Sequence, residues 1–157
     1  MATVIRNLLS VLLLFSTSGC AVFRPAPPAR PDYDRYTSSE HSDFGVVYEE
    51  AGDDRAAEQQ YEQAIRKDAS NHVAWTNLGN HQVQAGRPES AREAYRKALS
   101  LRPGYGPAVH NLAVTYLDTP PPEPARAIEV INAHLSLVDD ETKVVLEEVL
   151  SRAKGME

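Results

Sequence analysis

The sequence predicts an all-α fold, a solenoid of about three helical hairpins closed by a C-terminal capping helix. Three observations predict it. The first is an internal echo: Phe44-Gly45, Leu78-Gly79 and Leu112-Ala113 stand 34 residues apart, and the pairs Gly52/Gly86, Ala57/Ala91, Tyr61/Tyr95 and Ala64/Ala98 keep the same interval. A period of this size is the length of one helix–turn–helix unit. The second is helical spacing within the echo, because Ala91, Tyr95 and Ala98 fall at i, i+4 and i+7 on one face. The third is punctuation: Gly86-Arg87-Pro88 reads as a turn and Pro103-Gly104 as a stop.

Ahead of the repeats, residues 1–19 read as an export signal. Arg6 supplies a positive start, and Leu8-Leu9 with Val11 to Phe15 form an apolar core that Ser10 interrupts. That core is shorter than the roughly 20 residues a bilayer span needs. The single cysteine, Cys20, follows at once, so no intrachain disulfide can form. Thr17-Ser18-Gly19-Cys20 resembles the lipobox of bacterial lipoproteins, with Thr17 where Leu is usual. The resemblance implies cleavage before Cys20, acylation there and, with Ala21 rather than Asp next, placement in the outer membrane facing the periplasm. Residues 20–37 are then a lipidated Cys and tether. Four of the chain's eleven prolines lie between Arg24 and Pro31 and favour extended polyproline II.

The repeats divide as 38–71, 72–105 and 106–139. The middle one is clearest: Trp75, Leu78 and Gly79 mark its first helix, and Ala91, Tyr95 and Ala98 its second. These marks resemble those of tetratricopeptide (TPR) proteins. In the first repeat Phe44, Gly45, Tyr48, Ala57, Tyr61 and Ala64 keep the phase, with His41 at the large-aromatic place. In the third, Leu112, Ala113 and Tyr116 keep it, but Thr119-Pro120-Pro121-Pro122-Glu123-Pro124 replaces the tight turn. Matching Ala127 to Ala91 and Ile131 to Tyr95 there requires two inserted residues. Residues 140–157 form the cap, with Asp139 or Asp140 as N-cap and Val145, Leu146, Val149 and Leu150 as its apolar stripe.

Charge and motif content narrow the function classes. A net charge of −6 lacks the basic footprint of a nucleic-acid binder. None of the five His residues sits in an HExxH pattern, and no GxSxG, Walker or GxGxxG motif occurs. No catalytic residue, metal, cofactor or small-molecule substrate is therefore expected. The resemblance implies instead a groove lined by the first helix of each repeat. Its lining would be Ser39, Ser42, Val46 and Glu49, then Val73, Thr76, Asn77, Asn80 and Gln84, then Pro107, His110, Asn111, Val114 and Leu117. The binding residues expected are Thr76, Asn77, Asn80, Gln84, His110, Asn111 and Val114, of which Thr76, Asn80, Gln84, His110 and Val114 should be exposed and of little weight in folding. Asn77 and Asn111 have two readings, as donors to a bound peptide or as structural amides. The Lys and Arg of the carboxylate clamp that binds Hsp70 and Hsp90 tails are missing, with Ser42, Val46, Pro107 and Asn111 in their places. The expected role is an interaction scaffold resembling the small TPR lipoproteins of pilus and secretion-system assembly. The alternatives are an adaptor for a periplasmic protease or peptidoglycan hydrolase, and a purely structural subunit of an envelope complex.

Overall fold

A computed structural model describes residues 35–156, so the export signal, Cys20 and all but the last residues of the tether lie outside it. Seven helices follow in order: α1 (Ser38–Glu50), α2 (Asp54–Lys67), α3 (His72–Gln84), α4 (Pro88–Leu101), α5 (Gly106–Asp118), α6 (Pro124–His134) and α7 (Asp140–Lys154). No strand occurs among the described residues.

Local chemistry sets the helix boundaries. Thr37 and Glu40 form a reciprocal capping box at α1. Asp53 caps α2 through the Ala56 N–H, and Asn71 caps α3 through the N–H groups of Val73 and Ala74. Asn71 Nδ2 also donates to Ser38 Oγ at 2.7 Å, and that hydroxyl donates to the Ala64 carbonyl at 2.8 Å, which ties the start of one hairpin to its neighbour. Pro opens α4 and α6, where its missing N–H costs nothing. Gly52 and Gly86 take φ of 73° and 70° between the paired helices, a region L side chains rarely enter.

At α7 the N-cap is Asp139, which accepts from the Thr142 N–H at 2.8 Å. That bond, then the Thr142 hydroxyl, holds the Asp139 carboxyl below its ordinary value. A folded-state value depressed below the unfolded one stabilises above the ordinary carboxylate range and is lost as pH falls through the folded value. Asp139→Ala should therefore lower the melting temperature at neutral pH, with the gap closing in acid below the usual Asp range. An equal gap at both pH values, followed by circular dichroism, would refute this role for the cap.

The third hairpin shows how the proline run is accommodated. In the first two, the chain returns through an N–H to carbonyl bond five residues back, Asp53 to Tyr48 at 2.9 Å and Arg87 to Gln82 at 2.8 Å. In the third, Glu123 N donates to Tyr116 O at 2.8 Å, so the same closure spans two more residues. Ala127 and Ile131 are fully buried, as the shifted alignment requires. Arg92, itself buried, pins the turn by donating to the Glu123 carboxylate at 3.0 Å and the Thr115 carbonyl at 3.3 Å, and it stacks over the Tyr116 ring at 4.5 Å. The extra residues are recovered at the end of α6, which is 11 residues long where α4 has 14. First helices consequently begin at 38, 72, 106 and 140, and α7 keeps the 34-residue step.

Packing sorts these helices into two layers. Each hairpin packs on the next, and α1, α3, α5 and α7 also pack successively on one another. The second helices α2, α4 and α6 stay further apart, with no Cα of one within 8 Å of a Cα of another. Close approach in one layer and splay in the other curve the stack with the first helices on the concave side. The buried residues fall into two clusters, one around Tyr61 and one running from Tyr95 to Leu146, and Trp75 packs against both.

Close helix approach rests on Gly45 and Gly79. A Cβ built on Gly45 would lie 2.3 Å from the Tyr61 ring, and one on Gly79 would lie 2.5 Å from the Tyr95 ring. In the third hairpin Ile131 replaces the tyrosine, and Ala113 replaces the glycine. The smaller partner makes room for the added methyl.

Two sequence readings change here. Tyr36, assigned to the tether, packs edge-on against Phe44 with ring centroids 4.9 Å apart. Val145 leaves the apolar stripe of α7: it is 43% exposed, while Leu146, Val149 and Ala153 are buried. Adjacent residues on a helix point about 100° apart, so Val145 and Leu146 cannot both face the core centre.

Candidate binding groove

The 34-residue step arranges the concave face in rows, one residue from each of four helices. Ser39, Val73, Pro107 and Glu141 form the first row. Asp43, Asn77, Asn111 and Val145 form the second. Val46, Asn80, Val114 and Glu148 form the third. Where the last two helices meet, the rows enclose a cleft of about 340 Å³ between Pro107, His110 and Asn111 of α5 and Glu141, Thr142 and Val145 of α7. The α7 wall was missed from sequence because 140–157 read only as a cap. The signal available was the start at 140, one full step after 106.

Polar groups on this face fall into two kinds. One kind supports the fold. Tyr95, 1% exposed, donates its hydroxyl to Asn80 Oδ1 at 2.8 Å, and Asn111 Nδ2 donates to the same oxygen at 2.7 Å. Asn111 Oδ1 lies 2.9 Å from His110 Nδ1. Of the two readings of Asn111, the geometry gives the structural one. Asn80 likewise satisfies a buried phenol, which corrects the expectation that it weighs little in folding. Its Nδ2 remains as the group that can donate outward. In the first hairpin Glu49 has the matching duty, accepting from Tyr61 Oη at 3.0 Å and lying 3.2 Å from His81 Nδ1. Burial, and then Glu49, raise the Tyr61 phenol above its ordinary value, and burial raises Tyr95, so both stay protonated donors.

The other kind is available. Asn77 is half-buried, Gln84 is exposed, and neither makes a side-chain hydrogen bond to a described residue. Val114 is half-buried beside them. Thr76 requires correction: it is 3% exposed, and its hydroxyl donates back to the His72 carbonyl at 2.9 Å. A threonine that satisfies itself on the preceding turn can be buried, so its polarity misled. Ser42, one step earlier, and Leu117 are buried as well. The position of Ser42 and Thr76 opens only toward the end of the stack, with His110 half-buried and Val144 60% exposed.

Residues 43–106 match the sequence profile of the tetratricopeptide repeat family. Over that span the first two hairpins match tetratricopeptide repeats, and the whole stack has the TPR solenoid fold. The TPR fold recurs in the TPR2B domain of yeast Sti1 in complex with an Hsp70 peptide, at TM-score 0.67 and 18% identity over 76% of this chain and 98% of that one. It recurs in the first TPR of Spaghetti (RPAP3) bound to the HSP90 peptide SRMEEVD, at TM-score 0.62 and 18% identity over 76% and 96%. The Sgt2 TPR domain of Aspergillus fumigatus is similar at 0.64 and 19%, over 76% and 78%. In sequence, 58 residues are 34% identical to the peroxisomal targeting signal receptor of Saccharomyces cerevisiae. That match covers 37% of this chain and about a tenth of the receptor.

TPR units are typically protein-interaction modules. All five histidines are engaged: His41 with Gln60, His72 with Arg102, His81 with Glu49, His110 with Asn111 and His134 with the Pro103 carbonyl. Among the described residues no three His, Cys, Asp or Glu side chains converge to hold a metal ion.

Proposed function

We propose that this chain is a lipid-anchored scaffold of the bacterial outer membrane, facing the periplasm, that holds a segment of a partner protein along its concave TPR face during assembly of a pilus or secretion complex. The observation that carries the binding half is the row geometry, with unengaged Asn77 next to Asn111 of the α5–α7 cleft and unengaged Gln84 at the far end of α3. The neighbours solved with HSP90 and Hsp70 peptides support peptide capture by this fold. The anchoring half rests on Cys20 directly after the export signal. Each buried methylene of an acyl chain contributes about 0.8 kcal/mol, so two or more chains hold a protein stably.

Labelled palmitate should enter the wild type and not Cys20→Ser. Equal labelling would remove the anchor from the proposal. For the groove, Asn77→Arg with Gln84→Arg places bulk on groups that support no other side chain. Melting should change little, while capture of envelope proteins by the full chain falls at least tenfold. Undiminished capture would move binding off the concave face.

A further inference from the structure

Charge in the three repeats is sorted by layer, while α7 carries Lys143, Arg152 and Lys154. The first helices of the three repeats, α1, α3 and α5, contain neither Lys nor Arg. Every Lys and Arg between 38 and 139 lies on a second helix or in a loop. Carboxylates do not follow that split. Asp43 stands in the second row at the α1 end, and Glu141 and Glu148 stand in the first and third rows at the α7 end, all three exposed. None has an ion-pair partner among the described residues. On the outer layer Glu58, Glu62, Glu123 and Glu129 are each paired with an arginine, while Glu89 and Glu93 have no ion-pair partner among the described residues. The negative charge left uncompensated therefore includes both ends of the groove, while its centre offers the Asn77 amide and apolar Val73 and Pro107.

The geometry points to an occupant of one chemistry: an extended segment of a partner protein with Arg or Lys near each end and small apolar residues between. This rests on reading the concave face as the binding groove. A cation over Asp43 and another over Glu141 and Glu148 would meet unpaired carboxylates without displacing an internal ion pair. Successive first helices lie about 8–10 Å apart, so α1 to α7 spans roughly 24–30 Å. At about 3.3 Å per extended residue, the two cations are some seven to nine positions apart. An acidic segment would find no Lys or Arg on α1, α3 or α5 to receive it, and Arg152 of α7 is already paired with Asp118.

The test uses the full chain and two fluorescein-labelled ten-residue peptides of Val, Ala and Pro, one with Arg near each end and one with Glu there. Anisotropy titration at about 0.05 M salt should show the Arg peptide binding at least tenfold more tightly, with the preference shrinking near 0.5 M as screening shortens to a few ångströms. Asp43→Asn with Glu148→Gln should erase most of the preference. Glu89→Gln with Glu93→Gln, an equal charge change on exposed positions of α4, should leave it intact. A preference that survives the first pair, or falls equally with both pairs, overturns the inference, because net charge would then explain it. Equal or tighter binding of the Glu peptide overturns it too, while the groove reading stands. If Asn77→Arg with Gln84→Arg leaves Arg-peptide binding unchanged, the groove reading itself fails.

Discussion

Ala91→Glu should lower the melting temperature by about 10–20 °C. Ala91 is fully buried on α4, in the cluster that holds Tyr95, Leu112 and Ala113. A glutamate there both overpacks the crossing and places a carboxylate in a fully buried apolar cluster. Leaving a buried charge unpaired costs about 3–5 kcal/mol, a large share of the 5–15 kcal/mol that holds most domains together. Ala125→Glu makes the same chemical change on an exposed position of α6 and should stay within about 0.5 kcal/mol of wild type. Thermal unfolding of the two variants side by side checks this, and similar melting would mean that the helical phase is misassigned.

Gly79→Ala should destabilise by about 2 kcal/mol, against the usual direction of a glycine-to-alanine change within a helix. Helix propensity alone favours alanine by about 1 kcal/mol. The new methyl, however, meets the Tyr95 ring at 2.5 Å, and a ring 1% exposed has nowhere to go. Overpacking of this kind costs about 1–3 kcal/mol. Adding Tyr95→Ile recreates the Ala113 and Ile131 pairing of the third hairpin, so the double variant should lose less than the sum of the single changes. Denaturant titration of the four proteins gives the coupling, and strict additivity would show that the ring and the glycine do not constrain one another.

The repeat phase was legible in sequence because each mark answers a local physical demand that recurs every 34 residues. Gly79 needs Tyr95, Gly86 needs a positive φ, and Ala91 needs a crossing helix. The two-residue insertion was legible for the same reason, since Ala127 and Ile131 still had to reach the core. Polarity was a poorer guide on the concave face. Thr76 read as exposed but buries its hydroxyl against its own helix, and Asn80 read as a free amide but accepts the Tyr95 phenol across the hairpin. Such pairings join residues 15 positions apart, and helical spacing within one element does not reveal them. Val145 was misread because two adjacent valines on an amphipathic helix leave the boundary of its buried face undecided.

The seventh helix is a half-finished unit. It occupies the place of a first helix, packs on α5 and α6, and has no second helix among the described residues to cover its other side. Glu147 stands where Gly45 and Gly79 admit a tyrosine, which a helix without such a partner can tolerate. In a stack whose units hold one another only through nearest neighbours, an element packed on one side only is the first to fray. Because α7 also supplies Glu141 and Val145 to the cleft, fraying removes one wall of the groove. Capture of a segment and closure of the end of the stack are then one equilibrium: an occupied groove slows amide exchange in α7, and whatever loosens α7 weakens the hold on the segment.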